Sequence, residues 1–234
     1  MDRLKEKKIL IIGFGGIGRA LYNTALSAGC EVDVLTRQAI ADKHFTQMDL
    51  TQEGCVKTLT EYLKKNKYDI IINTIGLLSN KSHQPENTCK DITNHWLAQN
   101  IKVNVMPSIH IIQALSATQD STSTTLFVSL SAEISSISTN KMGNWYSYKM
   151  SKCMLNMLLN NSAKEWSKLF PKATIIAYHP GTVDTPLSKP FARFIPKGTL
   201  ISAEHASELL LKLLSTNDLK SGALYGNTGE IIDF

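Results

Sequence analysis

The sequence predicts a single doubly wound α/β domain over residues 1–234, with a parallel sheet of about seven strands and helices on both faces. Two observations predict this fold. Short apolar runs rich in Ile and Val alternate with longer segments of helical character, which is the order of β-α-β units around a buried parallel sheet. The length of 234 residues also suits one large domain, and no linker or internal repeat interrupts the pattern.

The predicted elements follow one another along the whole chain. Right-handed connections between successive strands of this kind produce a doubly wound sheet. Strands are predicted at residues 8–12, 31–35, 68–73, 125–129 and 173–178. Helices are predicted at residues 19–28, 51–65, 95–116, 146–166 and 203–214. The polar stretch 119–125 is predicted to be a surface loop.

The composition is that of an ordinary globular protein, with 43% hydrophobic residues and a net charge of +5. The basic residues are scattered, and no basic helix carries interleaved aromatic residues, so no nucleic-acid partner is expected. The four cysteines are far apart and form no C-x-x-C, which favours free thiols in a reducing compartment. No apolar stretch approaches the ~18 residues that span a bilayer. We therefore expect a cytoplasmic protein without a membrane partner.

None of the six histidines has the spacing of metal ligands. Metal sites built from histidine place two or more such side chains close together in the sequence or on one helix face. No metal ion is therefore expected.

A glycine-rich turn follows the first predicted strand. Gly13, Gly15 and Gly18 form a G-x-G-x-x-G pattern between that strand and the next helix. The first glycine permits a tight turn, the second lets the backbone approach a pyrophosphate, and the third lets the helix pack closely on the strand. Together with the positive potential of the helix N-terminus, the pattern predicts a Rossmann-type dinucleotide site.

The residue after the second predicted strand bears on the choice of cofactor. In dinucleotide-binding folds this position faces the adenosine ribose, where an acidic residue favours NAD and a basic residue favours NADP. Arg37 occupies it, and Asp33 lies too early in the strand to reach the ribose. Because a guanidinium binds a phosphate with two hydrogen bonds, we expect NADP(H) to be preferred over NAD(H).

Tyr148 and Lys152 are four residues apart in a predicted helix and so share one helix face. The pKa of a free tyrosine is about 10, too high for a base at neutral pH. A nearby ammonium is expected to lower the pKa of Tyr148. The phenol can then give a proton to a carbonyl oxygen or take one from an alcohol.

With these residues the chain resembles the short-chain dehydrogenase/reductase family over essentially its whole length. Further segments carry the resemblance: Asp49-Leu50, Asn73-Thr-Ile-Gly76, Asn104 in a predicted helix, Tyr148-x-x-Ser151-Lys152, and Pro180-Gly181-x-Val183-x-Thr185. Segments 145–148 and 187–191 are most similar to the C-factor-like, sniffer-type carbonyl reductases. The resemblance implies cofactor contacts at Gly13, Gly15, Gly16, Ile17, Gly18, Arg37, Asp49, Leu50, Asn73, Gly76, Tyr148, Lys152, Pro180, Gly181, Val183 and Thr185.

The chain departs from the family in two places. Its glycine turn is one residue shorter and lacks the family's threonine, so the support of that hydroxyl is expected to be lost. The family also ends its fifth strand in Ser-Ser, and the second serine binds the substrate oxygen. Ala132 falls at that position here. Ser131 is the nearest candidate for the missing hydroxyl, and Ser135 is the alternative.

The resemblance implies an NADP(H)-dependent oxidoreductase that moves hydride between nicotinamide and a carbonyl or alcohol substrate. Tyr148 would transfer the proton, Lys152 would hold the cofactor ribose, Ser131 would position the carbonyl, and Asn104 would order a relay water. An alternative is an NADP(H)-binding sensor or signalling protein with weak or no catalysis, and a third is a dehydratase or epimerase. The family also implies a homodimer or homotetramer, and a substrate loop over residues 187–200.

Overall fold

The structure is a computed structural model that describes residues 2–194, 198–216 and 218–234. Two sheets occur in this part of the chain. The strands are β1 (Lys8–Ile12), β2 (Glu31–Thr36), β3 (Phe45–Gln47), β4 (Ile70–Asn73), β5 (Leu126–Leu130), β6 (Thr174–Tyr178), β7 (Thr182–Val183), β8 (Leu200–Ile201), β9 (Leu224–Tyr225) and β10 (Ile231–Ile232).

The main sheet has eight strands in the order β10-β9-β6-β5-β4-β1-β2-β3. Neighbouring strands are parallel from β9 to β3, and only the two-residue β10 is antiparallel to its neighbour. The strand order reverses at β1, which is the arrangement of a doubly wound sheet. The predicted fold class is therefore confirmed, with β10 added at one edge.

Helices cover both faces of the main sheet. They are α1 (Gly16–Ser27), α2 (Cys55–Lys65), α3 (Asn94–Asn104), α4 (Met106–Ser116), α5 (Tyr146–Leu169) and α6 (Ala203–Leu214). Helices α1 and α6 pack against each other, whereas α2 packs on α4 and α3 packs on α5. Residues of β1 alternate between the two faces, with Ile9 and Ile11 in one core and Leu10 and Ile12 in the other.

The helix predicted at residues 95–116 is two helices in the structure. Helix α3 ends at Asn104 and α4 begins at Met106, with Val105 between them at φ −116°. Pro107 lies in the first turn of α4, where a proline is tolerated because its missing N–H has no helical partner there. In the middle of a continuous helix the same proline would remove a hydrogen bond and clash with the preceding turn, so the prediction of one helix is wrong.

Other predicted boundaries differ by a few residues. Helix α2 begins at Cys55 rather than at residue 51, because Gly54 has a left-handed backbone and stands before the helix. The shortest strands, β3 and the pairs β7–β8 and β9–β10, have no sequence pattern long enough to predict them. The predicted substrate loop at 187–200 includes residues 195–197, which lie outside the described residues.

The carboxyl ends of β1, β4, β5 and β6 meet at one edge of the main sheet. In open parallel sheets ligands bind at this edge, where the strand order reverses. No helix in the described part of the chain is long and apolar enough to cross a membrane. The same residues contain no cluster of three or more His, Cys, Asp or Glu side chains able to hold a metal ion.

Candidate active site

A cavity of about 360 Å³ opens at this edge of the sheet. Its wall begins at Ile17 in the first turn of α1 and passes Gly76 after β4. It ends at Tyr148 and Lys152 on α5. The cavity therefore joins the glycine-rich turn to the predicted catalytic pair.

The turn between β1 and α1 is built as a dinucleotide-binding turn requires. Gly13 has φ +97°, in the left-handed region that side chains rarely adopt. A Cβ atom on Gly18 would lie 2.3 Å from the carbonyl oxygen of Gly13, so only glycine fits there. The side chain of Thr74, which follows β4, donates a hydrogen bond to the carbonyls of Ile12 and Gly13, each at 3.1 Å. A hydroxyl supports the turn after all, and it comes from Thr74, directly after the neighbouring strand.

The other glycines of this turn differ in their surroundings. A Cβ atom on Gly15 would have no heavy atom within 4 Å. A Cβ atom on Gly16 would lie 2.6 Å from the methyl group of Thr185, in the segment after β7. Thr185 therefore lies against the start of α1, although the two are far apart in the sequence. Thr185 and Ile17, the second residue of α1, both border the cavity.

Two arginines lie near the end of β2, where an adenosine ribose would be held. Arg37 follows β2 directly and its side chain is exposed. Arg19 in α1 donates a hydrogen bond to Gln38 at 3.4 Å, and its guanidinium lies 4.7 Å from the ring centre of Phe14. The carboxylate of Asp33 accepts a hydrogen bond from Tyr68 at 2.8 Å and also contacts Lys8 and His44. Asp33 is thus engaged away from the ribose position.

Asp49 and Leu50 follow β3, the edge strand beside β2. The carboxylate of Asp49 accepts hydrogen bonds from the backbone and side chain of Thr51, at 2.9 and 2.7 Å, and from Gln52. Burial would raise the pKa of Asp49, but these hydrogen bonds outweigh it and lower the pKa. The backbone carbonyl of the buried Leu50 contacts the ring of His110 at 2.9 Å.

The end of β4 holds Asn73 in a buried network. Its amide nitrogen donates to the hydroxyls of Ser108 at 2.9 Å and Ser129 at 3.3 Å, and its oxygen accepts from the backbone of Ile75. The side chain of Asn73 therefore fixes the loop after β4 and is only 1% exposed. Gly76 borders the cavity itself, and a Cβ atom there would lie 3.8 Å from the Lys152 amine.

Tyr148 and Lys152 face the cavity from the first turns of α5. The amine of Lys152 donates a hydrogen bond to the carbonyl of Leu130 at 2.8 Å and lies 5.9 Å from the Tyr148 ring centre. Burial lowers the pKa of Lys152 to about 8, and burial raises the pKa of Tyr148 to about 12. The expected fall in the pKa of Tyr148 is absent from this arrangement, in which burial acts on the phenol.

Asn104 ends helix α3 close to Lys152. Its amide oxygen accepts from the backbone of Leu77 at 2.7 Å, and its amide nitrogen donates to the carbonyl of the same residue at 2.9 Å. The nitrogen also donates to the hydroxyl of Ser151, next to Lys152 in α5. Asn104 thus joins the loop after β4 to the catalytic helix.

The two candidate serines differ in their position. Among the described residues that line the cavity are Ser131 and Ala132, but not Ser135. The hydroxyl of Ser131 donates to the amide oxygen of Asn156 at 2.6 Å, and the amide nitrogen of Asn156 donates to Ser135 at 2.7 Å. Ser131 therefore borders the cavity, but its hydroxyl donates its hydrogen bond to Asn156.

The segment after β6 closes the cavity on the far side. Pro180, Gly181, Val183 and Thr185 all border it, and Val183 is held in register opposite Ile201 of β8. This pairing fixes the segment that the family resemblance assigns to the nicotinamide end of the cofactor.

His179 precedes that segment and also borders the cavity. Its ring nitrogen lies 3.6 Å from the carboxylate of Glu133. Burial lowers the pKa of His179, against the charges of Glu133 and Glu230, which raise it. His179 and Glu133 thus add two polar side chains to those of Tyr148, Lys152 and Ser131 on the cavity wall.

An aromatic wall lies next to Tyr148. The ring centre of Trp145 is 6.5 Å from that of Tyr148 and 5.1 Å from that of Phe191. Leu187 lines the cavity beside them. The described part of the predicted substrate loop therefore presents apolar side chains to the cavity.

These residues fit a dinucleotide. The first turn of α1 carries no acidic side chain that would repel a pyrophosphate, and a Cβ atom on Gly15 would meet no other atom. A proton donor and an ammonium stand at the other end of the cavity. The arrangement can bind an extended nucleotide and move a proton at Tyr148.

Sequence reasoning missed Thr74, Arg19 and Asn156. Asn156 is four residues after Lys152, so its polar side chain lies on the catalytic face of α5. That spacing is a signal that could have found it. The sequence contains no comparable signal for Thr74 and Arg19, because their contacts join segments that are far apart in the sequence.

Comparisons with known proteins bear on the fold and the family of the chain. No curated protein sequence matches the chain. Among solved structures, the carbonyl reductase Sniffer of D. melanogaster superposes with a TM-score of 0.78 at 16% identity, over 98% of this chain and 100% of that chain. A short-chain dehydrogenase/reductase from Burkholderia multivorans with bound NADP gives 0.82 at 18% identity, with the same coverage. A 3-ketoacyl-(acyl-carrier-protein) reductase from Brucella melitensis complexed with NADH gives 0.75 at 17%, over 94% and 96%.

The family model described as short chain dehydrogenase matches residues 7–194. That match covers most of the chain and contains the glycine turn, Tyr148, Lys152 and the segment after β6. The chain therefore belongs to the short-chain dehydrogenase/reductase family of nicotinamide-dependent oxidoreductases.

Proposed function

We propose that this protein is an NADP(H)-dependent carbonyl reductase or alcohol dehydrogenase. One observation carries the proposal: Tyr148 and Lys152 line the same cavity as the first turn of the glycine-bounded helix α1. The solved structures of Sniffer and of the NADP-bound Burkholderia protein, which share this fold, support the choice of a reductase. A bound nicotinamide supplies the hydride, or accepts it in the reverse direction.

Tyr148 transfers the proton. With a pKa of about 12 it is a protonated phenol at neutral pH, so it is ready to donate to a carbonyl oxygen. After donation the negative charge on its oxygen is stabilised by the ammonium of Lys152, which lies 5.9 Å from the centre of the Tyr148 ring. In the opposite direction Tyr148 has to lose its own proton first, and the resulting phenolate beside Lys152 then accepts the proton of an alcohol.

Lys152 has a second role in this proposal. Its hydrogen bond to the Leu130 carbonyl fixes the amine at the cavity wall, where it can bind the hydroxyls of a ribose. Asn104 holds the loop that carries Gly76 against α5 and orders a relay water beside Lys152. Asp49, Leu50, Asn73 and the segment Pro180 to Thr185 complete the proposed cofactor contacts.

NADP(H) is the proposed cofactor because two guanidinium groups lie where the adenosine ribose would be. Arg37 follows β2 and is exposed. Arg19 donates a hydrogen bond to the side chain of Gln38, the residue directly after Arg37. A 2′-phosphate there would be bound by charge-assisted hydrogen bonds. The carboxylate of Asp33, which could favour NAD, is engaged with Tyr68 and His44.

Ser131 is the proposed group that positions the substrate oxygen, rather than Ser135, because only Ser131 of the two borders the cavity. To donate to a carbonyl, its hydroxyl has to turn away from Asn156. The substrate is a small carbonyl or alcohol compound with an apolar body that fits the wall of Trp145 and Phe191. We further propose a cytoplasmic homodimer or homotetramer that acts without a nucleic-acid or membrane partner.

A specific observation favours the second candidate, an NADP(H)-binding sensor or signalling protein with weak or no catalysis. Ala132 has no hydroxyl, and the proton of Ser131 is directed at Asn156. Loss of one hydrogen-bond donor to the developing oxyanion typically lowers kcat by ~10²–10³-fold. A protein of this kind would bind NADPH normally and turn over slowly.

The two candidates are separated by assaying the purified protein with NADPH on a panel of aliphatic and aromatic aldehydes and ketones, and with NADP⁺ on the matching alcohols. Turnover of one compound far above the rate without enzyme supports the reductase. NADPH binding without turnover on any compound supports the sensor. A protein that binds neither NADPH nor NADH contradicts both.

A further inference from the structure

Glu86 is a buried carboxylate that the proposed chemistry does not use. It lies in the long connection between β4 and α3, and only 3% of it is exposed. None of the salt bridges found in the described part of the chain involves it. A buried carboxylate without a cation needs several hydrogen bonds to be tolerated, so its partners indicate what it does.

Those partners all lie at the start of helix α5. The backbone N–H of Ser147 donates to both carboxylate oxygens of Glu86, at 3.1 and 3.3 Å. The hydroxyl of Ser147 donates to the same carboxylate. The backbone N–H of Trp145 donates to the main-chain carbonyl of Glu86 at 2.7 Å. One residue of a distant loop thus binds two of the three residues that precede Tyr148.

Helix α5 lacks a cap from its own sequence. Trp145 stands before the helix in a left-handed conformation, at φ +54°, and its side chain caps no N–H group. The first turn also contains no acidic side chain. The first N–H groups of a helix need acceptors, and an anion there is favoured by the helix dipole. Glu86 supplies both.

We propose that Glu86 is a positioning residue that fixes the first turn of α5, and through it Tyr148 and the Trp145 ring, in the geometry needed for proton transfer. The inference rests on the proposed function of Tyr148. Ser147 is the residue directly before Tyr148, so a shift of its N–H moves the phenol. Trp145 has a left-handed backbone although it is not glycine, and such a conformation persists only when its surroundings hold it. The main-chain carbonyl of Glu86, which accepts from the N–H of Trp145, is one of the contacts that hold it.

The test compares Glu86→Gln with Ser147→Ala and with a matched control. Asp91→Asn is the control, because Asp91 is an exposed carboxylate of the same connection that caps only the turn at Thr88. We expect Glu86→Gln to lower kcat about tenfold or more, since small misplacements of a catalytic group have large effects on rate, while the Kd for NADPH changes less than about twofold. Ser147→Ala keeps the bond from the N–H and should lower kcat less. Asp91→Asn should leave kcat unchanged.

Amide hydrogen exchange, measured on the protein without cofactor or substrate, tests the same proposal without any measurement of turnover. Amide hydrogen exchange at residues 145–148 should be about tenfold faster in Glu86→Gln than in the wild type, and unchanged in Asp91→Asn. If the wild type turns over no substrate, the proposed function fails, but the exchange rates still decide the role of Glu86. A purely structural Glu86 would lower Tm with kcat and local exchange unchanged, and that result would overturn the proposal. If Glu86→Gln does not fold, unchanged exchange and kcat in Ser147→Ala would overturn it.

Discussion

At the cofactor end of the cavity the shape of the glycine turn depends on its backbone, whereas at the substrate end the chemistry depends on side chains. The turn from Gly13 to Gly18 leaves no room for a Cβ atom on Gly18, and a threonine hydroxyl holds its carbonyls. At the other end the hydroxyl of Ser131 donates to Asn156, and burial shifts the pKa values of Lys152 and Tyr148. Substitutions in the glycine turn are therefore expected to change its backbone shape. Substitution of one side chain at the substrate end is expected to change the chemistry and leave the fold in place.

The largest effect is expected at the substrate end, from Tyr148→Phe. Removal of a general acid typically costs ~10²–10⁴ in rate, so we expect kcat to fall by about that factor, while the Kd for NADPH stays nearly unchanged. Steady-state kinetics and a binding titration check both values. Tyr146→Phe is the matched control, because Tyr146 is in the same helix turn but not among the described residues that border the cavity. Retention of most activity in Tyr148→Phe would contradict the proposed mechanism.

At the cofactor end, Gly18→Ala and Gly15→Ala are expected to differ sharply. The new Cβ of Gly18→Ala would lie 2.3 Å from a backbone oxygen, so α1 has to move away from β1. We expect a loss of about 1–3 kcal/mol in the free energy of unfolding, as in other overpacked sites, and weaker NADPH binding. Gly15→Ala places its Cβ in open space and should keep the stability of the wild type. Chemical denaturation measures both variants, and equal stabilities would refute the close packing.

Ser131→Ala tests whether the substrate end uses the hydroxyl that borders the cavity. Because that hydroxyl has to give up its hydrogen bond to Asn156, its net contribution is modest, and we expect kcat to fall about tenfold. Ser135→Ala should change kcat less than about twofold. The two variants are compared in the same assay and against the same compound. The opposite order would assign the role to Ser135, and no effect of either would show that neither serine positions the substrate.

The last prediction concerns pH, and its effect reaches only about tenfold one pH unit above the pKa of Lys152. Lys152 has a pKa of about 8, lowered by burial, so its ammonium is lost as the pH rises through that value. Tyr148, with a pKa of about 12, stays protonated in this range. The kcat/KM for carbonyl reduction should therefore be constant below about pH 8 and fall above it, about tenfold per pH unit. A profile that stays flat well above pH 8 would show that Lys152 does not need its charge.

The contrast between the two ends also explains how much could be predicted from the sequence. The parallel sheet and the glycine turn were predictable, because strand patterns and glycine requirements are local. The break at Val105 was missed although Pro107 marks it, since the apolar pattern continues through both helices. The hydrogen bonds of Ser131 to Asn156 and of Ser147 to Glu86 join residues that are 25 and 61 positions apart. The spacing of Asn156 from Lys152 places its side chain on the right face of α5, but no spacing predicts that it meets Ser131 or that Ser147 meets Glu86. These contacts decide which serine can reach a substrate and what holds the start of α5.

The most direct test of the proposed function is a titration of the purified wild-type protein with NADPH and with NADH, followed by nicotinamide fluorescence. The glycine turn and the two arginines near β2 predict saturable binding of both, with a lower Kd for NADPH. Arg37→Glu should narrow or reverse that preference. Binding of neither dinucleotide would contradict the account, because the shortened turn would then not hold a pyrophosphate and Tyr148 would have no hydride donor beside it.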